Sequence, residues 1–464
     1  MVDPSGPALI LTDPEVLARV PLERIVSGIA SSFPVALTAE ETMQRLFDSM
    51  NDTASARFPG AWHCDDPGVP NADTVPRSDP VACPRAEGVL ADNTHFFEDG
   101  HPDSFMPVAI VNRFDLTPFS GVRCGEYRVV YAKRSGLTDP NDRVFLIFEA
   151  ALQNPDGCVE ACRSIAEGWL ALQGLSPTAQ ADWIDNLFFT GHPGFMPLAR
   201  ARSFGVDPTH GYSDTAPGGG QVRVALHMQE PWSMRELVVA QEPDEAFGFV
   251  PTTVKNSPPA SFFSPTGPLI PAAELRKSFT ENHLPSLVAG DLLSIEMFNP
   301  STLDGLESPL SGPGANDYEA AATSGPGSPL LATIDAYLTK NAVGTDCPAG
   351  DPLDAAAVLR RATTQSCAGC HAPTALLGET RSLGCGLTWP ASHGETHINE
   401  KGELSPALKD LFLPHRAEVL QTFLQSCDPA AIDDNLLAGN PADAPESAAK
   451  LLPSPRTLGG SLTH

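Results

Sequence analysis

Ten cysteines in 464 residues, two of them inside the run Cys367-Ala368-Gly369-Cys370-His371, limit what this chain can fold into more than any other feature. The other eight stand at 64, 83, 124, 158, 162, 347, 385 and 427, an even number whose connectivity sequence alone does not determine. Such a set persists as disulfides in an oxidising compartment, so the chain is expected to be exported, periplasmic or extracellular. Met1-Val2-Asp3-Pro4 has neither a basic start nor an apolar core, and a signal peptide is expected to have been removed. Cys64 and Cys83 are near enough to staple the Pro- and Asp-rich segment between them. Cys158 and Cys162, four apart on an expected helix, point to different partners.

The run at 367–371 is C-x-x-C-H. Thiols at i and i+3 reach two vinyl carbons on one edge of a porphyrin, and the histidine after them swings beneath the iron as an axial ligand. Only roughly 0.006 such runs are expected by chance in a chain of this composition. A helix is expected to lead into the motif, Pro373 follows it, and two more helices end the segment. In these features residues 336–428 resemble the c-type cytochromes. The resemblance implies one covalent haem c on Cys367 and Cys370, His371 as proximal ligand, and maturation outside the cytoplasm. It also implies a small all-α, cytochrome c-like domain in which the helix before the motif crosses the last one, 415–426. The competing reading is a CxxC disulfide or half a zinc site; zinc wants a second CxxC or a histidine pair at matching spacing, which Cys385 and Cys427 could supply only by leaving disulfides.

All eight methionines, at 1, 43, 50, 106, 196, 228, 234 and 297, precede the motif. A methionine ligand from within the haem segment is thereby excluded. Three histidines remain there. His397, in an extended and partly apolar run, ranks first as distal ligand, His393 second and His415 third, with an open site or a ligand lent by the amino-terminal part as the other outcomes.

The balance of 29 basic against 57 acidic residues, a net charge of −28, repels phosphate backbones and anionic lipids, so nucleic-acid binding and electrostatic membrane binding are not expected. No apolar run has the length of a membrane span. At 42% hydrophobic and 19% charged, the chain can bury a large core. Helix signals stand at Asp13-Pro14, at the capping box from Thr38 to Glu41, over 159–173 and 177–189, after Asp351-Pro352, and from Ser405-Pro406 and Pro414. Strand patterns cover 108–111, 126–133, 143–152, 221–229, 234–240, 247–254 and 292–297. Strands and helices come in runs rather than in alternation, which predicts an α+β fold with antiparallel pairing. The expected organisation is an α+β domain over 1–298, a Pro-, Gly- and Ser-rich linker over 299–335, a haem domain over 336–428 and a tail over 429–464.

Weaker constellations are read conservatively. His63, His95 and His101 with nearby acids match no established copper, zinc or calcium spacing and are expected to form solvated loops. Arg113 and Asp115 share one side of a strand and are expected to be a structural ion pair. Glu149, Arg235 and Glu236 lie in apolar strand runs and are expected to be paired or at a sheet edge. The overall expectation is an exported single-haem protein in electron transfer or haem-based redox chemistry, whose large domain binds a redox partner protein or a small-molecule substrate. Whether it is an enzyme is left open; if so, it is a haem-dependent oxidoreductase. The alternatives are a secreted, disulfide-rich scaffold with a structural haem, and a non-haem zinc or copper protein.

Overall fold

The computed structural model describes residues 9–35, 37–66, 82–118, 121–154, 159–205, 220–254, 256–265, 276–297, 305–311, 316–325, 327–372 and 382–426. Runs rich in Val, Ile, Phe and Tyr pair into one antiparallel sheet. Its strands are β1 (Ile10–Leu11), β2 (Phe105–Arg113), β3 (Arg123–Lys133), β4 (Val144–Gln153), β5 (Gln221–Leu226), β6 (Ser233–Gln241), β7 (Phe247–Thr252) and β8 (Ser308–Pro309). Strands β1 to β7 are bonded in chain order, and β8 pairs with β6. With the helices around it, this is the α+β architecture expected.

The two faces of the sheet are both buried but chemically different. On one, Tyr127, Val129 and Tyr131 of β3 lie beside Leu146 and Phe148 of β4. Helices with apolar residues at 3.6-residue spacing cover this face. Leu22–Ala30 buries Leu22, Ile25, Val26 and Ile29, and Ala39–Asp48 buries Met43, Leu46 and Phe47. The capping box is as expected: Thr38 Oγ1 accepts from the Glu41 amide at 3.0 Å. Trp169, on helix Arg163–Leu172, stacks on Tyr127 with ring centroids 5.4 Å apart.

The opposite face is set by the strand register. Arg113 opposes Glu126, Arg128 opposes Glu149, and Arg223 opposes Glu236, which makes a buried belt of alternating charge from β2 to β6. Beside the belt lie Val111, Val130, Phe145, Ile147, Ala225 and Met234. The carboxy-terminal residues Ile398, Leu408, Leu413 and Leu420 are buried in the same core as the sheet.

A second core gathers Phe262, Phe263, Ile295, Met297, Tyr318, Ile334, Val358 and neighbours. It takes residues from within the stretch 299–335, where helix Tyr318–Thr323 lies and helix Pro329–Lys340 begins. Between 336 and 426 the named elements are all helical.

Two local expectations are corrected. Residues 292–297 form no strand. Asp291 Oδ1 accepts from the Leu293 and Ser294 amides, which turns the chain, and Ile295 and Met297 enter the second core. The helix expected after Asp351 starts at Ala355, capped by Asp354, whose Oδ1 accepts from the Ala357 amide at 2.8 Å. Asp351 instead holds the 385–386 turn through the Cys385 and Gly386 amides.

Candidate functional site

The motif forms its own short helix, Cys367–His371, directly after Ala355–Thr364. Ser366 caps it: its Oγ accepts from the Gly369 amide at 3.0 Å and donates to the Thr363 carbonyl at 2.7 Å. The approach of the two helices is so close that a Cβ on Gly369 would lie 1.8 Å from the Thr363 oxygen. Ser257, from the loop after β7, accepts from the Cys367 amide at 3.0 Å. Both motif cysteines are buried, and neither is in a disulfide. Burial raises both thiols, Cys370 to about 12, with Cys367 beside it contributing.

His371 Nδ1 lies 3.0 Å from the Glu395 carbonyl oxygen. A carbonyl only accepts, so Nδ1 carries the proton and Nε2 presents the lone pair, the tautomer a metal ligand needs. Burial lowers the His371 pKa to about 4, so the ring is neutral at pH 7. The His397 ring stands 4.8 Å from it, centroid to centroid. His397 is itself buried and neutral, its pKa pushed well below the ordinary value by burial and by His371. Both its nitrogens are engaged: Nδ1 with Ser405 Oγ at 3.1 Å, and Nε2 with Cys370 Sγ at 3.7 Å.

His371 and His397 line a cavity of about 100 Å³, partly open to solvent, against the charged face of the sheet. The sheet wall carries Val130, Phe145, Ile147 and Met234, with Arg223 directly across from Ile147 and Arg128 and Arg113 further along β3 and β2; Arg416 closes it from the carboxy-terminal helix Leu413–Ser426. Among the described residues Glu395 is the only acid that lines it. Burial, with Arg113 and Arg128 alongside, holds the Arg416 guanidinium well below its ordinary pKa, although Asp115 opposes this. Each strand arginine is paired with a buried acid, Arg113 with Asp115, Arg128 with Glu126 and Glu149, and Arg223 with Glu149 and Glu236, so the wall joins apolar surface to compensated charge.

His227 follows β5 directly. Its ring packs 6.0 Å from Phe145 and 5.0 Å from Trp232. It is 1% exposed, and neither ring nitrogen has a hydrogen-bond partner among the described residues. Burial, then the charges of Arg143, His371 and Arg85, lower its pKa to about 3. Sequence reasoning overlooked His227 and Met234, although the polar-apolar alternation of 221–227 carries the signal for the first.

The remaining candidates fall elsewhere. His393 is half-buried in a turn closed by Thr396, and His415 lines a separate small cavity with Trp389 and Phe412. His95 and His101 stack at 3.9 Å, while His63 sits buried between Asp48 and Asp66. Among the described residues no three His, Cys, Asp or Glu side chains form a group that could hold a metal ion. Arg113 and Asp115 are a buried ion pair at 2.8 Å. Glu149 is buried between Arg128 (3.0 Å) and Arg223 (3.4 Å), Glu236 pairs with Arg223 at 2.8 Å, and Arg235 pairs with Glu307. Burial raises the Glu236 pKa even so.

Three cysteine pairs lie at disulfide distance: Cys64–Cys83, Cys124–Cys162 and Cys347–Cys385. Cys158 and Cys427 fall outside the described residues. Among the described residues no helix is long and apolar enough to cross a membrane. No protein-family model, curated protein or solved structure matches the chain.

Proposed function

We propose that this is an exported c-type haem protein, with one haem joined to Cys367 and Cys370 and ligated by His371. The observation that carries the reading is the His371 ring. Its Nδ1 proton is committed to the Glu395 carbonyl, and the ring borders a cavity against the sheet, beside two buried thiols outside any disulfide. The residues fit the group. The thiols would supply the attachment points, the apolar sheet residues suit a porphyrin ring, and Arg113, Arg128, Arg223 and Arg416, each also paired with a buried acid, are the guanidiniums that would face its propionates. The three cysteine pairs support an oxidising compartment.

When bound, haem supplies one-electron chemistry at iron. The chain's own residues do the rest. His371 donates its Nε2 lone pair, and the carbonyl behind Nδ1 fixes the ring and strengthens it as a ligand. The strand arginines neutralise carboxylates, and the sheet excludes water from one side of the site. In the cytochrome c-like segment 336–428, His397 would be the first candidate for a second histidine ligand. His393 is second in that segment. The reading is electron transfer, or redox chemistry at the haem, with the α+β part serving a partner protein or a small substrate. Protein matured in cells with an active haem-attachment system tests it: covalent haem that survives unfolding is the expected result.

A further inference from the structure

Resting on that reading, we propose that Arg143, the residue before β4, is a positioning residue that sets the strength of the His371 hydrogen bond and, through it, the potential of the haem iron. The acceptor of that bond, the Glu395 carbonyl, belongs to the segment 392–405, which also carries His397. One end of the segment is held to the motif. Ser392 Oγ contacts the His371 carbonyl, and the His393 amide donates to the Thr396 carbonyl at 2.7 Å, closing a tight turn around Glu395. The other end is held from the sheet. Arg143 Nε donates to Glu400 Oε1, while Nη2 lies 3.3 Å from Glu400 Oε2 and 3.5 Å from Thr396 Oγ1. One guanidinium thus grips the segment at 396 and at 400, the first directly after Glu395. Both side chains of the ion pair are 10% exposed, so the contact is shielded from water. The guanidinium also stands 5.2 Å from the ring centre of Phe145, which lines the cavity. A Cβ on Gly136 would lie 2.8 Å from Glu400 Oε1 and 3.1 Å from Arg143 Cγ, so the connection between β3 and β4 packs directly on the pair. A planar guanidinium holding both carboxylate oxygens fixes orientation as well as distance.

Such an arrangement gives the sheet a hold on the haem. A hydrogen bond from Nδ1 makes the imidazole a stronger electron donor, which favours ferric iron and lowers the potential. Releasing the segment lets the Glu395 carbonyl withdraw and weakens that bond. The test uses the holoprotein and reads the iron–histidine bond itself. Arg143→Leu combined with Glu400→Leu removes the ion pair without changing the net charge. The double variant should lower the iron–histidine stretching frequency, recorded by resonance Raman after photolysis of carbon monoxide from the ferrous protein, and should raise the midpoint potential. Arg143→Lys, whose single ammonium can still reach the carboxylate, should fall between the wild type and the double variant in both readouts. A merely structural pair would lower Tm and leave frequency and potential at their wild-type values. That result overturns the proposal, as does a shift of either readout in the opposite direction. Should the double variant fail to fold, Gly136→Val decides, because it keeps both charges and displaces the Glu400 carboxylate. The same two shifts are expected from it, and wild-type values overturn the proposal. Failure of the underlying reading looks different, because protein without covalent haem gives neither signal in any variant, the wild type included.

Discussion

The Nδ1 atom of His371 and the backbone carbonyl of Glu395 lie 3.0 Å apart, and that one contact sets which nitrogen of the motif histidine faces the cavity. Because the acceptor belongs to the backbone, no side-chain substitution at 395 removes it. The contact ties the motif helix to the segment that carries His397. His371→Ala should therefore leave the thioether bonds intact while abolishing the wild-type axial ligation. The check is a denatured mass that still includes haem, together with a changed ferric spectrum. An unchanged spectrum would remove His371 from the site.

Gly369 should admit no side chain. A Cβ would meet a backbone oxygen at 1.8 Å, which cannot swing aside as a flexible side chain could. Gly369→Ala should force the Cys367–His371 helix away from Ala355–Thr364 and lower the yield of covalent haem per chain. Haem-to-protein ratio and Tm measure both effects. Wild-type values in both would show that the helix junction is more adaptable than its packing implies.

Arg223→Leu should be strongly destabilising. Arg223 bridges Glu149 and Glu236 in a buried belt, and removing one member of such a set costs about 3–5 kcal/mol by leaving charge unpaired. Adding Glu236→Leu should recover part of the loss, since the two residues are in contact. Urea unfolding of the single and double variants gives the coupling directly, and simple additivity would contradict it.

Stability should fall as pH rises through Glu242. Burial lifts its folded pKa to about 7 against an ordinary 4.5, although Arg45 opposes the shift. The folded state thus keeps a proton that the unfolded chain has released. The contribution is full below about pH 4.5 and lost by about pH 7, on the order of 3 kcal/mol. Glu242→Gln should flatten that part of the stability curve. An unaltered slope would assign the pH dependence to other groups.

Much of the site was legible because it is local. C-x-x-C-H states its chemistry within five residues, and the Arg113/Asp115 pair followed from strand alternation. The other wall was not, since Arg128, Arg223 and Met234 meet only through the register of β3, β5 and β6. His227 belongs to the same class of omission: its polar-apolar alternation was readable, but its burial between Phe145 and Trp232 comes from packing around β4 and β5. The run 292–297 failed as a strand for the opposite reason. Its apolar content is real and goes into a core, but Asp291 captures two following amides and turns the backbone first. Asp351 and Asp354 were both plausible caps, and the turn at 385–386 took the first.

The claim on which the rest depends is covalent haem at Cys367 and Cys370. Protein from cells with an active haem-attachment system should be unfolded, its mass measured, and its reduced pyridine haemochrome spectrum recorded. The account predicts one haem of added mass, a c-type spectrum that survives unfolding, and no alkylation of Cys367 or Cys370 by a thiol reagent. A colourless chain whose two motif cysteines take up the reagent would contradict it.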